Sequence, residues 1–233
     1  MKLDILDTYN LRARLSPSII LLGPIGLTIF LCFKDVYSFA SSTIIVCMLL
    51  ALTNYIPILQ RRLNQSSKDP RSNYAAIYLH QNDNTIDEHS KKRYYRMLAE
   101  LDDSFSMFNA PNNTPEFQKC CESAILYLKN NTRENHLVLE ENINFGFCKN
   151  MLANKMIGIA LNIVLGISTG VYSYIKFGTI ADIPLGNTVS ILFNVLFLLF
   201  WIFGISQSMM ELAAKRYATT LLAAIDTLNP QNN

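Results

Sequence analysis

A run of cations and aromatic rings, Lys91-Lys92-Arg93-Tyr94-Tyr95-Arg96, is the part of the sequence best suited to binding chemistry. Its four cations and two tyrosines fall within just over one turn of a predicted helix. Cations neutralise phosphates and aromatic faces stack on unpaired bases, so this combination suits single-stranded nucleic acid or a nucleotide. The alternative is a solvated helix face whose tyrosines reach the core.

A second cationic cluster lies upstream and is followed by two tyrosines. Its members are Arg61, Arg62, Lys68, Arg71, Tyr74 and Tyr78. The alternative interpretation is a positive collar beneath a membrane helix, in contact with anionic lipid. Arg71 and Tyr74 join the first cluster as candidate ligand-binding residues.

Catalytic patterns are absent from the sequence. There is no P-loop, G-x-S-x-G, H-E-x-x-H, paired C-x-x-C or dinucleotide-binding glycine motif. The three histidines, His80, His89 and His136, are far apart, and the acid pairs Asp102-Asp103 and Glu140-Glu141 point about 100° apart on a helix. We therefore predict no catalytic residue, no metal site, no cofactor and no enzyme activity.

Four apolar segments must position these clusters. They are Ser18–Phe33, Val36–Leu59, Met156–Ile175 and Leu185–Ser206. A hydrocarbon core roughly 30 Å thick needs about 20 mostly apolar helical residues, and none of the four segments contains Asp, Glu, Lys, Arg or His. The sequence predicts an all-α integral membrane protein with two transmembrane hairpins, a helical cytoplasmic domain between them and a C-terminal cytoplasmic helix.

Lys and Arg set the expected orientation. They are concentrated in the N-terminal tail, in the central region and after the fourth segment, whereas the two short connections hold only Lys34 with Asp35 and Lys176 with Asp182. By the positive-inside rule, we expect both termini and the central domain to be cytoplasmic. The expected divisions are an N-terminal tail (1–17), hairpin one (18–59), the cytoplasmic domain (60–155), hairpin two (156–206) and the C-terminal helix (207–233).

Polar residues in the last two segments have two interpretations. In the fourth segment they recur along one face, at Asn187, Ser190, Asn194, Trp201 and Ser208, while the third repeats Gly158, Asn162, Gly166 and Gly170. One interpretation makes the face of the fourth segment a pore lining in an oligomer. The other is close helix packing, in which glycine permits approach and asparagine makes interhelical hydrogen bonds.

The C-terminal region carries a short heptad-like pattern. Its apolar positions alternate in spacing between four and three, at Met210, Ala214, Tyr217, Leu221, Ala224 and Leu228. With no Gly or Pro before Pro230, we expect one helix to continue from the fourth segment. Assembly about an axis and packing on the chain's own cytoplasmic domain are both open.

The central region is predicted to be helical. We expect helices over Asn73–His80, Asp87–Met107 and from Thr114-Pro115-Glu116 to about Lys129, and a last helix from about Arg133 that feeds into the third segment.

Two sequence blocks carry a resemblance. One is Asn84-Thr85-Ile86-Asp87 with Lys91, Arg93 and Tyr94, and the other is Thr132-Arg133 followed by Leu139–Asn150. Both resemble blocks in a family of small bacterial four-helix membrane proteins, whose expected members include the membrane channel component of the Hailong antiphage system. This sequence departs from the family pattern at Cys148, where the family has Arg, and at Lys155-Met156, where it has a Lys-Pro pair.

The resemblance implies a homo-oligomeric ion channel, with a tetramer as the expected stoichiometry. It further implies that a short single-stranded DNA oligomer or nucleotide, made by a partner nucleotidyltransferase, holds the channel closed until phage infection depletes it. Arg133, in the second block, completes the candidate ligand-binding set. The same block supplies an expected gating junction, formed by Glu140, Glu141, Asn142, Gly146 and Asn150.

The competing hypothesis is a membrane scaffold or sensor that recruits a cytosolic partner protein and conducts nothing. Under it, the Asn and Ser face is packing and the C-terminal helix binds the partner.

Overall fold

The structure is a computed structural model that describes residues 8–32 and 70–228. These residues form helices and no β-strand, which confirms the predicted all-α class. The α-helices, in chain order, are α1 (Ser16–Cys32), α2 (Pro70–Leu79), α3 (Glu88–Leu101), α4 (Pro115–Asn131), α5 (His136–Phe177), α6 (Leu185–Leu199) and α7 (Gln207–Ala223).

The described residues divide into two compact units. We call residues 8–32 and 146–207 the apolar unit, and residues 70–145 and 208–228 the polar unit. Three helical stretches are long and apolar enough to cross a membrane: Asn10–Cys32, His136–Phe177 and Leu185–Gly204. They coincide with the first, third and fourth predicted segments, whereas Val36–Leu59 lies outside the described residues. The arrangement of four spans as two hairpins therefore stays a prediction.

The apolar unit contains α1, the part of α5 from Gly146 onward, and α6. Two π-helical turns adjoin these helices, Asn10–Leu15 before α1 and Phe200–Gly204 after α6. A π turn leaves backbone groups without their usual intrahelical partners. In both places a side chain of α5 supplies a donor, because Asn150 Nδ2 bonds to Ala13 O at 2.7 Å and Lys155 Nζ bonds to Ile205 O at 2.7 Å.

The polar unit is built on an aromatic core. Its buried rings include Tyr95, Phe105, Phe108 and Phe117, with Phe108 and Phe117 packed edge to face at 5.4 Å between centroids. The predicted start of α4 is confirmed. Thr114 Oγ1 accepts a hydrogen bond from the backbone N–H of Phe117, and Pro115 occupies the first helical position. The predicted continuity of the last central helix into the third apolar segment is also confirmed, since α5 runs from His136 to Phe177.

One predicted helix ends earlier than expected. Instead of reaching Met107, α3 stops at Leu101, and a 3₁₀ helix over Asp103–Asn109 follows. Asp102 is extended and its carboxylate accepts a hydrogen bond from the Ser104 N–H at 2.8 Å. This hydrogen bond caps the 3₁₀ helix, and the extended backbone of Asp102 that goes with it ends α3.

The expected continuous C-terminal helix is wrong. The helix that begins with α6 ends in the π turn at Gly204, and Ile205 is extended, with φ −108° and ψ 118°. Lys155 stabilises this break because its ammonium donates to Ile202 O at 3.0 Å as well as to Ile205 O. Beyond the break, the apolar side chains of α7, including Tyr217 and Leu221, are buried in the core of the polar unit. This placement favours packing on the chain's own domain over assembly about an axis.

Candidate functional site

Lys91, the first cation of the predicted binding run, is 5% exposed. Its ammonium donates to His80 O at 2.8 Å and to the carbonyl oxygen of Asp83. Burial lowers the pKa of Lys91, and the nearby Asp83 carboxylate opposes that shift. Lys91 therefore fastens the turn between α2 and α3, and its ammonium is bonded to backbone carbonyls rather than presented at the surface.

The two tyrosines of the run are also internal. Tyr94 and Tyr95 are each 6% exposed, and Tyr95 Oη donates to Leu79 O at 2.6 Å. Tyr95 also stacks on Phe108 with 5.3 Å between ring centroids, and burial raises its pKa. Base stacking on these rings is excluded in the described conformation, so the alternative given for this run holds for its tyrosines.

The remaining cations of the run lie on the surface. Lys92 pairs with Glu88 at 2.6 Å, and Arg93 forms two 2.8 Å hydrogen bonds to the carboxylate of Asp226. Arg96 is exposed and has no hydrogen bond or ion pair with the residues that the structure describes. Arg133, also exposed, donates to Asn130 Oδ1 at 3.0 Å. A phosphate could bind these cations, but at Lys92 and Arg93 it would displace a carboxylate.

A cavity of about 290 Å³ opens beside Lys91 and Lys92. Asp83 and Glu88 line it together with Asn84. This mixture of acids and bases suits a neutral or zwitterionic group better than a polyanion.

Arg71 lies between aromatic rings of the polar unit. Its guanidinium is 4.6 Å from the ring centre of Phe145 and 5.2 Å from that of Tyr217, and Nη1 donates to Asn142 Oδ1. Stacked cation–π pairs of this kind hold a guanidinium in place. Arg71 thus joins the start of α2 to α5 and α7, while half-buried Tyr74 carries Lys215 over its ring at 5.4 Å.

The five residues of the expected gating junction divide between the two units. Glu140, Glu141 and Asn142 belong to the polar unit, where Glu141 Oε2 is buried without a hydrogen bond. Gly146 and Asn150 belong to the apolar unit and face its N-terminal π turn. A Cβ on Gly146 would lie 2.9 Å from the Cβ of Ala13, so glycine is what permits this approach.

The predicted pore face forms a polar seam inside the apolar unit. We define this polar seam as four residues of the stretch Leu185–Gly204 and the three residues that they contact. The four are Asn187, Ser190, Asn194 and Trp201, and the three are Thr28, Ser173 and Gly158. Asn187 Nδ2 donates to Ser173 Oγ at 2.8 Å, while Ser190 Oγ and Asn194 Nδ2 bond to Thr28 Oγ1 at 3.1 and 3.0 Å. The four members of the seam that come from Leu185–Gly204 are at most 3% exposed.

Packing along the polar seam follows a spacing of about seven. As the chain steps by seven residues from Asn187 to Asn194 and again to Trp201, the opposing positions on α5 recede by seven from Ser173 to Gly166 and by eight to Gly158. A Cβ on Gly158 would lie 2.4 Å from the indole of Trp201, so this position requires glycine. Antiparallel helices that repeat contacts every seven residues have the geometry of helix bundles.

The structure therefore places the four buried members of the predicted pore face within a single chain. Ser208, the fifth, is exposed and belongs to the polar unit, because the break at Ile205 separates it from the stripe. This arrangement is the helix-packing alternative, and a pore lining by these residues stays a prediction that requires the helices to move.

Sequence reasoning missed several partners. Asp226 gave no signal, because its pairing with Arg93 spans 133 positions. Thr28 and Ser173 had no signal in the sequence either, because their roles as partners of Ser190, Asn194 and Asn187 depend on how the helices pack. Lys155 had a signal, since it immediately precedes an apolar segment and keeps the lysine of the family's Lys-Pro pair, whose proline is replaced by Met156.

Among the described residues, no group of three or more His, Cys, Asp and Glu side chains is arranged to hold a metal ion. Comparison of the chain with protein-family models, with curated proteins and with solved structures finds no match.

Proposed function

We propose that the chain is the membrane effector of a bacterial antiphage system, acting in the inner membrane as a homo-oligomeric ion channel gated by a nucleic-acid or nucleotide ligand. The two resembled sequence blocks support the antiphage part, with a short DNA oligomer as the ligand that holds the channel closed. The observation that carries the channel part is the polar seam, a line of Asn, Ser and Thr side chains within stretches able to cross a membrane.

In the described conformation the polar seam is closed. Its hydroxyls and amides bond to one another, and its members Asn187, Ser190, Asn194 and Trp201 are shielded from solvent. Conduction along this face therefore requires α5, α6 and α1 to separate, which exposes polar groups able to line a water-filled path. Both termini and the polar unit are cytoplasmic in this proposal.

The ligand would bind the exposed cations of the polar unit, Lys92, Arg93 and Arg96. Its phosphate would take the place of Asp226 on the guanidinium of Arg93, since both anions fit the same two donors. Asp226 lies in the 3₁₀ turn that follows α7. Exchange of this ion pair is thus a means by which binding could alter the packing of α7.

Ion flux from liposomes that contain the purified protein tests the proposal, measured before and after nuclease treatment. We expect flux only after the nuclease removes the bound oligonucleotide. Absence of flux in both states, from an intact oligomer, would overturn the channel.

Charge reversal tests the ligand surface. Lys92→Glu with Arg93→Glu should abolish the ligand response and leave the oligomer assembled. The matched control is Asp226→Asn, which breaks the same ion pair but keeps the cation, so it should retain the response. Equal loss in both variants would show that the ion pair, and not phosphate binding, matters.

A second candidate is a non-conducting membrane scaffold or sensor that recruits a cytosolic partner protein. The burial of Asn187, Ser190 and Asn194 within one chain favours it, because polar residues so placed are explained by packing alone. Asn194→Leu separates the two candidates. In a channel it changes conductance, whereas in a scaffold it changes only assembly or stability.

A further inference from the structure

Two buried polar groups meet the same glycine of the polar seam. The indole of Trp201 is 0% exposed and lies over Gly158, where a Cβ would be 2.7 Å from Nε1. One turn along α5, Asn162 is 2% exposed, and its Nδ2 donates to Gly158 O at 2.7 Å. The donor of the tryptophan and the amide of the asparagine therefore lie in one small region.

Each of these side chains has an atom without a partner. Trp201 Nε1 and Asn162 Oδ1 have no hydrogen bond with the described residues. The amide cannot be turned to change this, because Gly158 O only accepts and so must face the NH₂ group. An unpaired buried polar group is destabilising, and both atoms lie in stretches apolar enough to cross a membrane, where lipid offers no substitute partner.

The two unpaired atoms have opposite hydrogen-bonding roles. The indole N–H is a donor only, and the amide oxygen is an acceptor only. A cation would bind the amide oxygen but would be repelled by the positive end of the N–H dipole. An anion would bind the N–H but would be repelled by the amide oxygen. The group that satisfies both is small, neutral, and able to donate and accept.

We propose that a water molecule is bound between Trp201 and Asn162, accepting from the indole Nε1–H and donating to Asn162 Oδ1. Buried waters typically bridge polar groups that the protein leaves unsatisfied. The site lies next to the π turn Phe200–Gly204, a kind of irregularity that recurs at functional positions. The inference goes beyond the proposed function, because a bundle that conducts nothing would hold this water as well.

Trp201 is the only tryptophan of the chain, so a single indole signal reports on the site. The test is nuclear magnetic resonance of the full chain in micelles, with ¹⁵N-labelled tryptophan. We expect a through-space cross-peak between the indole proton and water, and an indole slow to exchange with solvent. A folded wild-type protein with no such cross-peak would overturn the proposal, whatever the flux assay shows.

Asn162→Leu removes the acceptor while keeping the side-chain size. We expect the water cross-peak to disappear and the fluorescence of Trp201 to shift to shorter wavelength. The matched control is Asn194→Leu on the same polar seam, which should leave both signals unchanged. Persistence of the cross-peak in Asn162→Leu would also count against the bridge, and if that variant does not fold, the wild-type spectrum decides alone.

Discussion

Lys91 in the polar unit and Asn162 in the apolar unit are both nearly inaccessible, yet they differ in how completely they are bonded. The ammonium of Lys91 meets two backbone carbonyls, whereas the amide oxygen of Asn162 meets no described residue. The polar seam repeats this pattern at Asn194, whose Oδ1 is also unpaired. The ammonium of Lys91 thus fixes one packing of the turn between α2 and α3, whereas Asn162 and Asn194 leave hydrogen-bonding capacity unused among the described residues.

The difference matters because satisfied polar networks hold one arrangement, and incompletely satisfied ones favour alternatives. A seam whose oxygens gain partners on hydration loses less when its helices separate. By this reasoning the polar seam is the part of the chain best able to change its packing, and the turn held by Lys91 is a rigid part.

The largest effect is expected at Lys91. Lys91→Met removes the ammonium from the carbonyls of His80 and Asp83, and His80 O keeps only its 3.2 Å bond from the Asp83 N–H, so local stability should fall by about 2–3 kcal/mol. Hydrogen exchange of the polar-unit amides in the full chain measures this change. The adjacent Lys92→Met is the control, with an expected loss under about 0.5 kcal/mol because it breaks one exposed pair. Similar losses of stability in the two variants would show that the buried bonds of Lys91 do not hold this part of the polar unit.

Close packing of the polar seam is tested with two glycines of α5. Gly158→Ala places a Cβ against the indole of Trp201 and should destabilise the chain by about 1–3 kcal/mol. Gly170→Ala should change stability little, since nothing lies within 4 Å of its Cβ position. Equilibrium unfolding in mixed micelles compares them, and a tolerated Gly158→Ala would mean that Trp201 packs elsewhere.

We expect the hydrogen bonds of the polar seam to contribute less to stability than the burial of their side chains suggests. Asn194→Leu removes two donated bonds but also one unpaired oxygen, so we expect a loss of only about 0.6 kcal/mol. Thr28→Val removes the acceptor that Ser190 Oγ and Asn194 Nδ2 share, leaving Asn194 only its bond to Ser190 O, and should cost more. The same unfolding assay ranks the two, and the reverse order would show that the seam is fully satisfied in the protein.

The smallest effect concerns acid and the cap of α3. The carboxylate of Asp87 is bonded by the Ser90 side chain and by the Ser90 N–H at 2.9 Å, and these bonds, the side-chain one foremost, lower its pKa below the ordinary 3.8. Its contribution is therefore present above that ordinary value and is lost as the pH falls through the lower pKa of the folded state. Asp87→Asn keeps a cap without the charge, so stability at pH 7 should change little and part of the acid dependence should disappear. An acid-unfolding curve identical to wild type would refute this role.

Local patterns in the sequence predicted much of the fold. The N-cap at Thr114, the start at Asp87 and the apolar runs of α1, α5 and α6 each depend on neighbouring residues, and all are found. The break at Ile205 was not predictable in this way, because no Pro marks it and its carbonyls are held by Lys155, 50 positions away.

The candidate sites were harder to predict for the same reason. A run of cations does not reveal which members lie inside, and Lys91 and Tyr95 are buried through contacts with the preceding turn and the aromatic core. The stripe at spacing seven did predict that Asn187, Asn194 and Trp201 share a face. Whether that face meets water or another helix depends on distant partners such as Thr28.

Locking the polar seam tests most directly whether it must open for conduction. In a background without other cysteines, Ser173→Cys with Asn187→Cys replaces the 2.8 Å contact between these side chains with a disulfide. After nuclease treatment, we predict that the oxidised protein gives no ion flux from liposomes and that reduction restores flux. Equal flux from the oxidised and reduced protein, with the disulfide shown to be formed, would contradict a path that opens along the polar seam.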